Sequence, residues 1–253
     1  MFIDTHCHLD FPEFDPDRDE VTRRAKNEGI DYIINIGSGI LASEKALGLA
    51  KKYDFVYATV GMHPHDADKF DDQAKAKLAE LAKEDKVAAI GETGLDYFKN
   101  YSRPENQQVL FEYLVKLAKG SGLPLVIHNR RAEPDTLRIL KEALPVKAVV
   151  HCFSADEKFL KECLDLGFLV SFTCNITYKK AQDLRALVKL TPLDKLMLET
   201  DAPFLPPEGL RGKRNEPRYL KFLAEEIARI KGISVEEIAR VTTNNAKIFF
   251  NLK

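Results

Sequence analysis

The sequence predicts an α/β chain folded as a (β/α)8 TIM barrel with extra C-terminal helices, and three observations carry that prediction. Short β-branched or aliphatic runs alternate with longer amphipathic segments eight times along the chain. Such alternation implies a parallel sheet, because a crossover helix returns the chain to run each strand in the same direction. No Gly-rich phosphate loop follows the first run, which argues against an open, dinucleotide-binding sheet. Eight such units in 253 residues match the count and length of a closed barrel.

The first strand lies in Phe2-Ile3-Asp4-Thr5-His6-Cys7-His8-Leu9-Asp10. Side chains alternate between the faces of a strand, so His6 and His8 point one way and Cys7 the other. Charge-rich residues 15–28 read as a helix stopped by Gly29, and the apolar run 30–36 as the second strand. Residues 42–52 are helical, and Val56–Val60 is a third strand running into Gly61-Met62-His63-Pro64-His65. Segment 71–84 has Leu78, Leu81 and Ala82 at helical spacing, and 87–90 is a fourth strand leading to Gly91-Glu92. Ser102-Arg103-Pro104-Glu105 has the form of a capping box with proline in the first turn, opening a helix that ends near Gly120 or Gly122.

The fifth strand, 124–127, ends at His128 and is followed by helix 133–144. The sixth, Ala148–Val150, ends at His151. Ser154-Ala155-Asp156-Glu157 is a second capping box for a helix stopped by Gly167, and 168–172 is the seventh strand. After a helix over 179–190, the eighth strand, Leu196–Leu198, ends in Glu199-Thr200-Asp201. The remainder reads as helix, over 216–231 with Asn215 as cap and from 234 onward behind a third capping box, Ser234-Val235-Glu236-Glu237.

With 45% hydrophobic residues the chain can bury a full core, and residues 1–253 are expected to form a single domain. A formal net charge of -1 supplies no global field for a long duplex or an anionic membrane. Any anionic substrate must therefore be met by local charge. No apolar stretch approaches the ~18 residues of a membrane span, and no basic-then-apolar leader opens the chain. The expectation is a cytoplasmic protein without a membrane partner, its oligomeric state open and a monomer favoured. Cys7, Cys152, Cys163 and Cys174 lack CxxC spacing and read as reduced, mostly buried residues.

In a barrel of this kind the site lies at the C-terminal ends of the strands. All six histidines, His6, His8, His63, His65, His128 and His151, fall at or just past predicted strand ends, joined by Glu92 and Asp201. An isolated HxH is as readily two surface histidines, but six together with two carboxylates point to a metal centre. Imidazoles and carboxylates without a thiolate suit divalent Zn, Mn, Mg, Fe or Ni without choosing among them. Two ions about 3.5–4 Å apart need a shared ligand, which a carboxylate supplies and an imidazole does not. Glu92, midway between the two histidine groups in barrel order, is the natural bridge. One ion is then expected on His6, His8, Glu92 and Asp201, and a second on Glu92, His128 and His151. Asp201 has a further expected role as general base toward an attacking water. Asp4, two residues before His6, is expected to orient a neighbouring ligand from the same face.

The segments FIDTHCHLD, GMHPHD, IGETGLDY, LPLVIHNR, HCFSA, LETDAPFLPP and RGKRNEP, in this order over almost the whole chain, resemble the TatD family of metal-dependent deoxyribonucleases within the amidohydrolase-like barrels. The resemblance implies a TIM barrel with a divalent metal centre that hydrolyses phosphodiester bonds in DNA, commonly from a 3' end. It implies metal roles for His6, His8, Glu92, His128, His151 and Asp201, in agreement with the spacing, and places His63 near the scissile phosphate. Two departures are visible: Ala155 where the pattern usually has glycine, and Cys174-Asn175 where a Ser-Gly type pair is common. Neither removes a ligand.

Arg211, Lys213 and the neighbouring Arg214 form the densest basic cluster near the expected mouth, and Arg130 lies closer to the site; these are the candidate phosphate contacts. Tyr97, Phe98, Tyr101 and Phe153 are placed either to stack on bases or to pack in the core. A narrow barrel mouth and near-zero charge favour a single-stranded DNA end or short oligonucleotide as substrate. Two other readings stay open: a metal-dependent ester or amide hydrolase, including an aminoacyl-tRNA deacylase, and a non-catalytic metal-binding barrel.

Overall fold

A computed structural model describes residues 1–252. Its eight strands are β1 (Phe2–Cys7), β2 (Ile30–Asn35), β3 (Val56–Val60), β4 (Val87–Asp96), β5 (Leu125–Arg130), β6 (Ala148–Val150), β7 (Leu169–Phe172) and β8 (Leu196–Leu198). They pair in parallel in chain order. Seven helices connect them: α1 (Arg18–Asn27), α2 (Ile40–Lys52), α3 (Asp72–Leu81), α4 (Pro104–Ser121), α5 (Glu133–Ala143), α6 (Glu157–Asp165) and α7 (Gln182–Leu190). Two more, α8 (Leu220–Lys231) and α9 (Val235–Phe250), follow the last strand. The barrel closes where the Asp201 amide donates to the His6 carbonyl (2.9 Å), the His8 amide donates to the Ala202 carbonyl (2.8 Å), and Cys7 bridges Ala202 in parallel. The closing seam is thus made by the residues around the first HxH and the last aspartate.

Two apolar layers follow from the alternation of strand residues. Outward-facing Ile33, Val56, Ala58, Ile90, Leu125 and Ile127 join the helix faces in one buried cluster. Inside the barrel, Ile3, Ile34, Val126, Val149 and Met197 meet Ala246, Phe249 and Phe250 of α9, which seals the end away from the histidines. Among the described residues no helix is long and apolar enough to cross a membrane.

Several expected boundaries move, each for a local reason. β4 runs on through Glu92 to Asp96, because Thr93–Asp96 continue the ladder against Ile127–Arg130 of β5. Glu92 therefore sits within its strand and not after it. Ser102 does not cap α4: its hydroxyl donates to the His65 carbonyl (2.7 Å) and accepts from the Asp68 amide (3.1 Å), and Arg103 occupies the cap position. Asp156, not Ser154, caps α6 through the Phe159 amide, whereas Ser234 caps α9 as expected. Asn215 caps no helix, since the chain first makes a 3-10 turn over Pro217–Tyr219 before α8. The helix expected over 15–28 begins at Arg18, behind a 3-10 turn over Pro12–Phe14, and that over 179–190 begins at Gln182.

Candidate metal centre

Strand ends carry the polar residues to one mouth. His6 and His8 emerge at the end of β1, His63 and His65 after β3, His128 in β5 and His151 after β6, with Glu92 inside β4 and Asp201 after β8. All but His6, which is fully buried behind them, line a cavity of about 830 Å3. A second cavity of about 630 Å3, between α2 and α3, contains none of these groups.

Glu92 is the hub. Its Oε2 lies 3.6 Å from His6 Nε2 and 4.0 Å from His8 Nε2. Its Oε1 lies 2.8 Å from His151 Nε2, 3.1 Å from His128 Nδ1 and 3.5 Å from His63 Nε2. Asp201 Oδ1 joins the first group, 3.7 Å from His6 Nε2 and 3.4 Å from His8 Nε2. Donors each held about 2.0–2.2 Å from one ion sit roughly 3–3.5 Å from one another, and these pairs span 2.8 to 4.0 Å about that spacing. Two of the inward-facing nitrogens lack other employment: His6 Nε2 and His151 Nε2 are buried without an aligned hydrogen bond. Leaving a buried polar group unpaired costs about 1–3 kcal/mol, so such nitrogens beside Glu92 and Asp201 fit a cation site.

The electrostatics agree. Burial pushes the Glu92 carboxyl up, but the charges of the surrounding imidazoles, His151 first, and the hydrogen bond with His128 outweigh it and hold Glu92 well below the carboxylate range. Burial likewise opposes ionisation of Asp201, and the hydrogen bond from His8 and the charge of His6 overcome it. Both carboxylates are anionic. Burial lowers His63 to about 3, so its ring is neutral. Because His63 Nδ1 accepts the His65 amide (3.2 Å), the proton resides on Nε2, which faces the cavity as a donor.

Two buried carboxylates escaped the sequence reading. Asp96 Oδ2 lies 2.7 Å from His65 Nε2 and 3.4 Å from His128 Nε2, while its Oδ1 accepts the Phe98 and Lys99 amides. Glu199 Oε1 lies 3.4 Å from His151 Nδ1 and accepts the Cys152 amide (2.6 Å), and Oε2 accepts the Ser171 hydroxyl (2.5 Å). A carboxylate on the far nitrogen of an imidazole fixes which nitrogen is left free. The signal that finds Asp96 is period two, since it follows Glu92 by an even number of residues within β4; Glu199, past the end of β8, offers only its place beside Asp201.

Other expectations need correction. Asp4 does not share a face with His6, because β1 sets four residues, from Asp4 to Cys7, against three of β2, from Ile33 to Asn35. The bulge turns Asp4 outward with Cys7, where it accepts the Thr200 amide (2.9 Å) and hydroxyl (2.5 Å) and so holds the chain before Asp201. Burial raises the Asp4 carboxyl to about 7. Arg130 lines the cavity, but Arg211 and Lys213 do not. Arg211 lies over the Tyr178 ring (4.7 Å) and beside Glu208, and Arg214 is bound to Asp17 and Glu216. Tyr97 donates its hydroxyl to Asp135, and Phe153 is core, leaving Phe98 and Tyr101 exposed. Phe11 and Phe204, unremarked in the sequence, form the opposite wall. Of the two pattern departures, Asn175 lines the cavity and Ala155 packs against the core.

The family described as TatD related DNase matches residues 3–251. The chain is 42% identical to the uncharacterized metal-dependent hydrolase YabD of Bacillus subtilis (strain 168), over 100% of both proteins. It is 38% identical to the 3'-5' ssDNA/RNA exonuclease TatD of Erwinia amylovora, over 99% of this chain and 100% of that protein. The crystal structure of YJJV, a TatD homolog from Escherichia coli K12, superposes with a TM-score of 0.94 at 34% identity, covering 100% of this chain and 98% of that one.

Proposed function

The chain belongs to the TatD related DNase family and is a metal-dependent hydrolase, and from that premise we propose that it removes nucleotides from the 3' end of single-stranded DNA at a two-ion centre. The observation that carries this reading is Glu92, whose two oxygens face two separate groups of imidazoles. One ion is assigned to His6, His8, Glu92 and Asp201, the other to Glu92, His128 and His151. The substrate class is supported by the exonuclease named among the relatives, which acts on single-stranded DNA and RNA.

Divalent ions held by these residues would supply Lewis-acid charge to a bound phosphate. The chain's own groups do the rest. Anionic Asp201, which lines the cavity, accepts the proton of the attacking water. His63 Nε2–H donates to a phosphate oxygen, a role supported by its Nδ1, which accepts the His65 amide and so leaves the proton on Nε2. Phe11 and Phe204, with ring centroids 5.9 Å apart, wall the cavity and exclude water from one side.

The test is direct. Metal-loaded protein is offered 3'-labelled single-stranded DNA alongside a panel of carboxylic esters and amides. Release of the labelled 3'-terminal nucleotide in the first cleavage is expected; ester turnover without nucleotide release overturns the reading.

A further inference from the structure

Every arginine except Arg130 and Arg131 has a carboxylate oxygen within 4.0 Å. Arg130 and Arg131 have none among the described residues. They are consecutive, exposed, and placed by the end of β5 at the rim of the metal cavity. Both guanidinium groups lie against one ring, Phe98, at 4.0 and 4.7 Å from its centroid. Lys99, the next residue along, lines the same cavity and is likewise without a carboxylate partner. Arg131 adopts φ 55°, a region that costs a residue with a Cβ about 1–2 kcal/mol. Three like charges with no carboxylate partner among the described residues leave their donors open to an anion from outside.

The chemistry of that anion follows from the groups. Guanidinium forks suit phosphate oxygens. The cations sit among partly exposed rings, Phe98 at 42% and Tyr101 at 64% exposure, and cations interleaved with aromatic side chains are what a single strand of nucleic acid engages. Since Arg130 and Lys99 share the cavity with His63, Glu92 and His128, a strand with one phosphate among those groups carries its next phosphates onto this lip.

We propose that Lys99, Arg130 and Arg131, mounted on Phe98, form a subsite for the backbone phosphates adjoining the one at the metal centre, so that an oligonucleotide strand is preferred over an isolated phosphodiester. The inference rests on the nuclease reading above and sharpens its substrate. Its test uses the metal-loaded full chain with a single-stranded oligothymidylate and with bis(p-nitrophenyl) phosphate, over a range of salt. Each phosphate contact on a single strand contributes ~0.7 to the log–log salt slope, so K99Q/R130Q/R131Q should lower that slope by about 2. Extrapolated over the tenfold range down from 1 M salt, that is about a 100-fold rise in the oligonucleotide KM near 0.1 M salt. The ratio of kcat/KM for oligonucleotide over the small diester should fall with it, while R130K/R131K restores most of the slope. Arg138→Gln, on a paired surface arginine of α5, serves as the charge-loss control. A triple variant with wild-type slope and KM, in a protein that degrades the oligonucleotide, overturns the subsite alone. A wild-type protein that turns over the small diester and never the oligonucleotide overturns the nuclease reading together with it.

Discussion

Glu92 carries more of this site than any other side chain, because each of its oxygens meets a different set of imidazoles. Glu92→Ala should lose both metal stoichiometry and activity. Asp201→Asn keeps most of the nitrogen donors, so it should retain much of the metal and still lose turnover by about 10²–10⁴-fold, the range of a lost general base. Metal content by elemental analysis, measured beside turnover, separates the two, and wild-type rates in either variant refute the two-ion scheme. Asp96 and Glu199 act one step further out. Asp96→Asn and Glu199→Gln remove the charge behind His128 and His151, and metal affinity or activity should fall about 10–100-fold. Metal titration of the two variants decides it, an unchanged affinity and rate showing that these carboxylates orient nothing.

At the scale of elements, the segment after β8 is the part most dependent on side-chain ties. The fully buried Asn215 donates to the Thr200 (2.9 Å) and Phe204 (2.7 Å) carbonyls, while its own carbonyl accepts the Glu216 amide (2.9 Å). Asn215→Ala strips buried carbonyls of their donor at about 1–3 kcal/mol each. Denaturant unfolding should show that loss, with weaker metal binding because Asp201 lies between Thr200 and Phe204. The same segment is clamped to the start of α1 by Arg214 on Asp17, and that pairing lowers the Asp17 carboxyl to about 2. A carboxyl lowered in the folded state contributes stability above its unfolded value of about 3.9, and that contribution disappears as the pH falls through about 2. Wild type should therefore lose more stability than Asp17→Asn across this window in pH-dependent melts. On the other side of the site, Gly94 at φ 132° lets β4 approach β5 so closely that a Cβ there would lie 2.0 Å from the His128 carbonyl oxygen. Only glycine permits the ladder that brings His128 to Glu92.

At the scale of the whole molecule, the two ends of the barrel are held differently. One is packed by Phe249 and Phe250, and Phe250→Ala should cost about 3–5 kcal/mol in denaturant unfolding without altering metal stoichiometry. The other holds buried nitrogens and carboxylates that only a cation satisfies together, so a divalent ion at 100 times its Kd should stabilise the fold by about 2.7 kcal/mol. Removal of metal by a chelator should lower the melting temperature accordingly. The order of strands and helices, the (β/α)8 architecture and the gathering of six histidines, Glu92 and Asp201 at one end were all legible in the sequence, because hydrophobic periodicity and strand-end position are local properties. Local signals failed where long-range pairing decided the outcome. β4 reaches Asp96 only because β5 is beside it, Ser102 is drawn to His65 and Asp68 instead of capping α4, and the bulge in β1 turns Asp4 away from His6. The loop bearing Arg211 and Lys213 folds outside the cavity, while Phe11 and Phe204 enter it. Residue type and spacing determined by themselves which groups are chemically able to bind a metal and at which end of the strands they emerge. Only the tertiary structure decided which oxygen of Glu92 faces which imidazole and which cations go without a carboxylate, because both depend on the distances closure sets between residues far apart in the chain.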